Sequence, residues 1–252
     1  MCGFVGIISK INLQFPENKL KEMNSVIRHR GPDDEGYFQN EWLSLAFRRL
    51  KIIDLSEKAH QPMFSADKQF IIVFNGELYN YCEIREELKN AGYHFFSESD
   101  TEVILNSFIH WGRDCLDKFT GMFAFIIADL KNKKIFCARD QLGIKPLYIY
   151  EDNSNILFTS EIKSLLPYCT LEPNFDAFNE YLVFRSLPGE RTMFKNVKSL
   201  SAGHFCTCSL DNSMIPTELR ISQYFALQDT ILPDHSLKFE DACEKVEAHL
   251  KE

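Results

Sequence analysis

The chain opens with Met1-Cys2-Gly3-Phe4-Val5-Gly6-Ile7-Ile8, a run without a polar side chain after Cys2, which predicts a buried strand over residues 2–9. If Met1 is removed, Cys2 carries a thiol and a free α-amine on one residue. The amine titrates near ~7.7–8.0 and a thiol near ~8.5, so the amine can take the thiol proton near neutral pH. Cys2 would then be a nucleophile with its own base. The alternative is a small core residue, since free cysteine is among the most buried types, and Cys2 alone favours that alternative.

Composition limits the classes of protein that this chain can belong to. Its 252 residues suffice for one large domain, or for one domain and the start of another, and 45% hydrophobic with 25% charged residues is typical of globular proteins. No apolar run reaches the ~18 residues of a membrane span, and Lys10 interrupts the first apolar stretch too early for a signal peptide. We therefore expect a cytoplasmic protein. The net charge of −8 argues against binding to nucleic acid or anionic membranes.

The eight cysteines are scattered and are expected to stay reduced. The one close pair, Cys206-Thr207-Cys208, lacks the spacing of a zinc site and is interpreted as two alternating strand positions. The seven histidines show neither metal-ligand spacing nor an evident acid–base partner, so no metal site is expected. Arg139-Asp140 and Lys145-Pro146 follow strands, and their charges are candidates for an internal ion pair. No glycine-rich phosphate loop is present, so no nucleotide site is expected in this chain.

The hydrophobic pattern predicts strands and hairpins between helices, and hence a mostly antiparallel sheet covered by helices. Helices are predicted over residues 18–29 and 81–91, and a third follows Ser99-Asp100-Thr101-Glu102, which has capping-box spacing. Gly31 to Gly36 is predicted as a polar loop. The pattern further predicts strands over 43–48, 70–74, 122–130, 135–138, 147–150 and 156–160, short helices over 161–166 and 176–184, and a final helix from Phe239. Residues 187–211 read as irregular to β, and 212–237 are polar and poorly patterned.

The apolar strand Phe70-Ile71-Ile72-Val73-Phe74 is predicted to end at Asn75-Gly76-Glu77. Asn75 offers a side-chain amide and Gly76 offers a backbone N–H that no Cβ shields, so the pair can stabilise an oxyanion. The alternative is a hairpin turn, which is the commonest use of Asn-Gly, although the sequence after it turns helical and does not return as a strand. The residues alone leave the two interpretations evenly balanced.

Arg49 and Asp100 suit the two charges of an α-amino acid. Arginine clamps a carboxylate in a bidentate fork, and Asp100, assisted by Glu77, can hold an ammonium. Asp100 also suits a helix N-terminus, and the two roles can coexist. Taken alone, Arg49 is better interpreted as a solvated surface charge.

A set of short stretches covers roughly residues 2–205 in a fixed order, and the ordered set is far more specific than any member. The stretches are Met1-Cys2-Gly3, Arg28-His29-Arg30-Gly31-Pro32-Asp33, Arg49-Leu50, Asn75-Gly76-Glu77-Leu78-Tyr79-Asn80, Ser99-Asp100-Thr101-Glu102, Gly121-Met122-Phe123-Ala124-Phe125, Arg139-Asp140-Gln141-Leu142-Gly143-Ile144-Lys145-Pro146-Leu147-Tyr148 and Ser160-Glu161-Ile162-Lys163. This set resembles the class II glutamine amidotransferase domain of glutamine-hydrolysing asparagine synthetases. The resemblance implies an α+β fold of the N-terminal-nucleophile (Ntn) hydrolase type, a four-layer αββα sandwich with mostly antiparallel sheets.

The resemblance also implies roles for individual residues. Cys2 would be the nucleophile after loss of Met1, with its amine as the base, and Asn75 with the Gly76 N–H would form the oxyanion hole. The loop over residues 30–36 would close over bound glutamine. The residues expected to bind glutamine are Arg49 at its α-carboxylate, Glu77 and Asp100 at its ammonium, and Leu50, Ile52, Ile53, Asn75 and Gly76 along the pocket. Relatives often carry a polar pair before Arg-Leu, whereas Phe47-Arg48 precedes Arg49 here, which leaves open which arginine is the clamp.

The implied activity is hydrolysis of L-glutamine to glutamate and ammonia through a thioester on Cys2, with the ammonia intended for ATP-dependent amidation of aspartate. We expect residues 2–211 to form the amidotransferase domain, and 212–252 a linker and the truncated start of a synthetase domain. That domain, expected to carry ATP and Mg²⁺, opens in relatives with an SGGxDS-type loop, which is not found in these 252 residues. The expected partners are glutamine, a synthetase domain or subunit, and a second copy in a homodimer. The alternatives are a catalytically silent regulatory or binding remnant, and a glutaminase that serves another ammonia acceptor.

Overall fold

Two six-stranded antiparallel sheets form the centre of the protein in our computed structural model, which describes residues 1–11, 13–187, 189–210, 216–227 and 238–251. Sheet 1 has the strand order β10-β8-β9-β1-β3-β2, and sheet 2 has the order β12-β11-β7-β6-β5-β4. The strands are β1 (Gly3–Ser9), β2 (Asp34–Gln39), β3 (Leu43–Arg49), β4 (Met63–Phe64), β5 (Phe70–Leu78), β6 (Gly121–Asp129), β7 (Lys134–Arg139), β8 (Tyr148–Glu151), β9 (Asn155–Thr159), β10 (Val197–Ser199), β11 (His204–Ser209) and β12 (Arg220–Gln223).

Helices cover the outer faces of both sheets. The α-helices of the described residues are α1 (Glu17–Val26), α2 (Tyr81–Asn90), α3 (Asp100–Trp111), α4 (Phe175–Phe184) and α5 (Phe239–Lys251). Short 3-10 helices occur at Arg28–Arg30, Glu57–Ala59, Gly112–Lys118 and Ile162–Leu165. None of the helices among the described residues has the length and apolarity needed to cross a membrane.

The alternation of side chains along β1 shows how the layers form. Phe4 and Ile8 point into the core between the two sheets, while Val5 and Ile7 point the other way, into the core between sheet 1 and α1. A third apolar core lies between sheet 2 and the helices α2 and α3. Helix, sheet, sheet and helix therefore follow one another, and the predicted four-layer αββα sandwich is confirmed.

Several local predictions from the sequence are wrong. The segment predicted as a loop up to Gly36 already enters β2 at Asp34 and pairs with β3. β5 does not end at Asn75 but continues to Leu78, so the hairpin interpretation of Asn75-Gly76 is also wrong. Both errors have the same cause. Residues whose local propensity favours turns lie in strands, because they pair with a neighbouring strand.

The capping box is only half formed. Ser99 Oγ accepts a hydrogen bond from the Thr101 backbone N–H at 3.1 Å, as an N-cap should. Glu102 does not reach back to Ser99 and instead accepts from the backbone N–H groups of Phe96 and Ser97, at 2.9 and 2.8 Å. The side chain therefore fixes the loop before α3 rather than closing the helix end.

The poorly patterned stretch over residues 212–237 contributes one strand, β12, to the sandwich. Cys206 and Cys208 do alternate along β11, as predicted, and β12 pairs with that strand from within the stretch that showed no clear pattern. Residues 211–215 and 228–237 lie outside the described residues, so the predicted boundary between residues 211 and 212 stays a prediction. Helix α5 buries none of its described side chains.

Gly6 allows the two sheets to approach closely at the middle of β1. A Cβ at this position would lie 2.5 Å from Ile126 Cδ1 of β6, which fills the space that the missing side chain leaves. Gly6 and Ile126 therefore form a small-to-large pair at the centre of the core between the sheets.

We expect Gly6→Ala to lower the free energy of unfolding by about 1–3 kcal/mol, because the added methyl overpacks this contact. Ile126→Val removes the methyl that clashes and should cost about 0.5–1.5 kcal/mol by itself. The double variant should lose less free energy of unfolding than the sum of the losses in the two single variants. Urea unfolding of the parent, the two single variants and the double variant measures this. Strictly additive losses would contradict the proposed packing.

Candidate active site

The start of β1 and the end of β5 meet at one end of the sandwich, around a cavity of about 230 Å³. Cys2 is half-buried in its wall, and its Sγ accepts a hydrogen bond from the Leu50 backbone N–H at 3.4 Å. Burial raises the pKa of the Cys2 thiol, and the hydrogen bond to Leu50 partly opposes this. The cavity is lined by Met1, Cys2, Arg49, Leu50, Ile52, Ile53, Asp54, Ala59, Gln61, Phe74, Asn75, Gly76, Glu77, Ser99, Asp100, Thr101, Met122 and Lys145.

The buried guanidinium of Arg30 holds Cys2 in place. Its Nε donates to the Cys2 carbonyl oxygen at 2.7 Å, and its Nη1 donates to Glu161 at 2.9 Å. The orientation of the Asn75 amide is assigned from the groups that face it. Nδ2 donates to the same Cys2 oxygen at 2.8 Å, and Oδ1 accepts from Arg30 at 3.3 Å. Burial would raise the pKa of Glu161, but hydrogen bonds from Arg30, Lys163 and His29 lower it to about 2, so its charge is retained.

The backbone of β5 offers an open N–H at Gly76. Phe123, opposite Gly76 in β6, uses both its N–H and its C=O on Asp140 on the far side, so the Gly76–Phe123 pair is not hydrogen-bonded. The N–H of Gly76 therefore points away from β6. On that same edge, the N–H of Phe74 donates to Gln61 Oε1 at 2.7 Å and that of Leu78 donates to Asp100 at 3.1 Å.

Gly76 lies between these two satisfied donors, and among the described residues its own N–H has no acceptor outside the strand ladder. A larger residue would not fit here, because a Cβ would lie 2.2 Å from the Met122 carbonyl oxygen. Together with the second amide hydrogen of Asn75, this N–H can bind an oxygen in the cavity.

Arg49 is buried, so its interpretation as a solvated surface charge is wrong. It lines the cavity, while Nη1 donates to the Ser56 carbonyl oxygen at 2.9 Å and Nη2 donates to that of Asp54. Its neighbour Arg48 lies on the opposite face of β3, where it forms an ion pair with Glu35 at 2.6 Å. The structure thus assigns Arg49, not Arg48, to the cavity.

Two carboxylates give the cavity an acidic wall. Asp100, the first residue of α3, is buried and lines the cavity beside Glu77. Burial raises the pKa of Asp100 to about 6, although the Leu78 N–H donates to it and favours the charged form. Its place at a helix N-terminus and its place in the cavity coexist, as the sequence allowed.

The structure brings all the predicted site residues to one cavity: Cys2, Arg49, Leu50, Ile52, Ile53, Asn75, Gly76, Glu77 and Asp100. Their individual roles stay predictions. Sequence reasoning missed Arg30, Gln61 and Lys145. Arg30 and Lys145 lie within two of the stretches that carry the resemblance, and this position in a motif could have pointed to them. Nothing in the sequence pointed to Gln61.

The suggested ion pair around Arg139 is not found among the described residues. Arg139 instead donates to the carbonyl oxygens of Gly143, Lys145 and Leu200, at 2.6 to 2.8 Å. Asp140 accepts from the backbone N–H groups of the turn that follows, including that of Lys145 at 2.9 Å. These two side chains therefore fold the segment that carries Lys145 to the cavity.

Two histidines have acidic partners that the sequence did not reveal. His29 lies 2.8 Å from Glu161, and His60 lies 2.8 Å from Asp34. Within the described part of the chain, Asp34, Glu57 and His60 are the group whose ligand atoms lie close enough together to hold a metal ion. His60 already pairs with Asp34, and Glu57 with Lys51, so these contacts account for the cluster without a metal.

Comparisons with known proteins agree with this geometry. The sequence pattern of the family described as "Glutamine amidotransferase domain" matches residues 1–219. Asparagine synthetase [glutamine-hydrolyzing] 1 of Bacillus subtilis is 41% identical over 218 residues, which are 85% of this chain and 34% of that protein. Putative asparagine synthetase [glutamine-hydrolyzing] 2 of Methanocaldococcus jannaschii is 38% identical over 91% of this chain and 47% of its own length.

Among solved structures, glutamine phosphoribosylpyrophosphate amidotransferase from B. subtilis is similar in fold. Its TM-score is 0.62 at 15% sequence identity, over 88% of this chain and 49% of that one. The chain spans between about a third and a half of the length of the curated relatives named above. The match of the family pattern over residues 1–219 shows that the chain belongs to the glutamine amidotransferase domain family, and the curated relatives named above are called glutamine-hydrolysing asparagine synthetases.

Proposed function

We propose that this domain hydrolyses L-glutamine to glutamate and ammonia through a thioester on Cys2. The observation that carries the proposal is the open N–H of Gly76, which borders the same cavity as Cys2 Sγ and the Asn75 amide. A nucleophile beside two donors that are free to bind a developing oxyanion is the arrangement that amide hydrolysis needs.

The reaction begins once Met1 has been removed. Met1 is largely exposed and lines the cavity, so its loss frees both the Cys2 α-amine and space beside the thiol. The amine takes the thiol proton while Sγ attacks the carboxamide carbon, and the oxyanion is held by Asn75 Nδ2 and the Gly76 N–H. Return of the proton expels ammonia and leaves a γ-glutamyl thioester. Water, activated by the same amine, then releases glutamate and restores the thiol.

The charges of the cavity wall account for selection of an α-amino acid. Asp100 and Glu77 attract the α-ammonium of glutamine, and Arg49 attracts its α-carboxylate through the donors that its contacts with Asp54 and Ser56 leave free. Glutamine bound by both charged groups extends its carboxamide toward Cys2. Amides without the two charges would lose this orientation.

We further propose that the ammonia is used by a synthetase domain or subunit, which amidates aspartate and carries the ATP and Mg²⁺. The relatives' names and their greater length support this proposal. Two helices, α4 and α5, each expose apolar side chains that a partner or a second copy can cover: Phe175, Phe178, Leu182, Val183 and Phe184 on α4, and Phe239, Val246 and Leu250 on α5. A cytoplasmic setting fits the eight cysteines, all of which are free thiols among the described residues.

The central test of the proposal is Cys2→Ala. We expect the parent protein, shown by intact mass to lack Met1, to release glutamate from glutamine, and the variant to lose at least about 10³-fold in kcat. Molecules that retain Met1 should be inactive because their α-amine lies one residue too far away. Cys82→Ala, which removes an exposed thiol, serves as the control. A Cys2→Ala protein as active as the parent would disprove the mechanism.

Glutamine binding should depend on pH through Asp100. Because burial raises its pKa to about 6, Asp100 is mostly charged at pH 7 and mostly neutral at pH 5. Calorimetric titration of the Cys2→Ala protein should therefore give a Kd about tenfold weaker at pH 5 than at pH 7. Asp100→Asn in the same background should bind weakly at both pH values. Equal affinities at the two pH values in the Cys2→Ala protein would exclude this role of Asp100.

A further inference from the structure

Lys145 is a buried cation in the cavity wall that has no bound partner. The residue is 6% exposed and lines the same cavity as Cys2, Glu77 and Asp100. Its ammonium makes no hydrogen bond and no ion pair with any residue that the structure describes. Burying an unpaired charge costs stability, so a position of this kind calls for an explanation beyond folding.

The backbone of Lys145 is held firmly although its ammonium is not. Its N–H donates to Asp140 Oδ2 at 2.9 Å, and its carbonyl oxygen accepts from Arg139 Nε at 2.8 Å. The same Asp140 oxygen accepts from the Phe123 N–H of β6, opposite Gly76. Lys145 is thus fixed to the strand pair that carries the oxyanion donor, and its free end faces the cavity.

The other cations around the cavity already have partners. Arg30 binds the Cys2 carbonyl oxygen, Glu161 and Asn75, and Arg49 binds the carbonyl oxygens of Asp54 and Ser56. The ammonium of Lys145 is the one left without a partner in the described part of the cavity wall.

The electrostatics around Lys145 agree with this geometry. Burial and the charge of Arg30 lower the pKa of Lys145, while Asp140, Cys2 and Glu77 oppose that shift. Around Cys2 itself, the charge of Asp100 from α3 disfavours the thiolate, whereas the amino terminus and Arg49 from β3 favour it. Lys145 interacts with Cys2 as well, so its ammonium adds a second side-chain cation to Arg49 against the two carboxylates of the wall.

We propose that Lys145 is a positioning residue, whose ammonium supplies the positive charge against which Cys2 ionises. A nearby cation favours the thiolate over the thiol, and it favours the neutral α-amine over its protonated form. Both effects keep the nucleophile and its base ready at neutral pH. The proposal deepens the function proposed above and rests on it, but the ionisation of Cys2 can be measured without glutamine.

The test is the pH dependence of Cys2 alkylation by iodoacetamide in the Met1-free protein, followed on the amino-terminal peptide by mass spectrometry. Lys145→Met keeps the length and the apolar stem of the side chain and removes the charge, Lys145→Gln is a polar neutral alternative, and Lys145→Arg retains the charge. Lys195→Met removes a lysine that pairs with Glu172 away from the cavity, and it is the matched control. Cys82, which is exposed, reports any general change in reactivity within each sample.

We expect the midpoint of Cys2 alkylation to move up by about one pH unit in Lys145→Met and Lys145→Gln, so that the reaction is about tenfold slower at pH 7. Lys145→Arg and Lys195→Met should follow the parent. Neutral variants that keep the parent's midpoint would overturn the proposal, and so would a Lys145→Arg profile displaced as far as that of Lys145→Met. A parent that hydrolyses no glutamine would refute the proposed function instead, and the alkylation result would still decide the role of Lys145.

Discussion

The active end of this sandwich depends on one buried guanidinium. Arg30 spans the two sheets, because it binds the carbonyl oxygen of Cys2 at the start of sheet 1 and the amide of Asn75 in sheet 2. Its charge is balanced by Glu161, which hydrogen bonds keep ionised. Cys2, the proposed nucleophile, and Asn75, a proposed oxyanion donor, belong to different sheets. Without this bridge, the distance between them would change whenever one sheet shifted over the other.

Asp100 both stabilises the edge of β5 and lines the cavity. Its carboxylate satisfies an N–H of the β5 edge two residues beyond Gly76, and its burial beside Glu77 gives it a raised pKa. Asp100 and Glu77 thus make one part of the cavity acidic, and Arg49 and Lys145 supply positive charge in the same wall. Such an arrangement of opposite charges in a small buried volume selects ligands by their charge pattern rather than by apolar contact.

The four layers were predicted from the resemblance that the ordered motifs carry, whereas the continuous apolar run of β1 predicted only a strand buried on both faces, as the structure confirms. Prediction from the sequence failed where a tertiary contact overrode local propensity: at β2, entered from a segment rich in turn residues, and at Asn75-Gly76, which stays in β5. Glu102 accepts hydrogen bonds from the backbone N–H groups of Phe96 and Ser97, which the spacing of the capping box does not predict. Gln61 and Lys145 in the cavity wall, and Arg30 behind Cys2 and Asn75, were missed for a similar reason, since only the tertiary fold brings them to this site.

The open edge of β5 has a consequence for solubility. β4 pairs with only Ile71 and Ile72, so the following outward N–H groups of a strongly apolar strand would otherwise be a template for pairing with another chain. Gln61 and Asp100 occupy the donors on either side of Gly76 with side-chain oxygens, which leaves no run of free donors for an incoming strand. The side chains that leave the Gly76 N–H as the single open donor therefore also protect this edge from pairing with another chain.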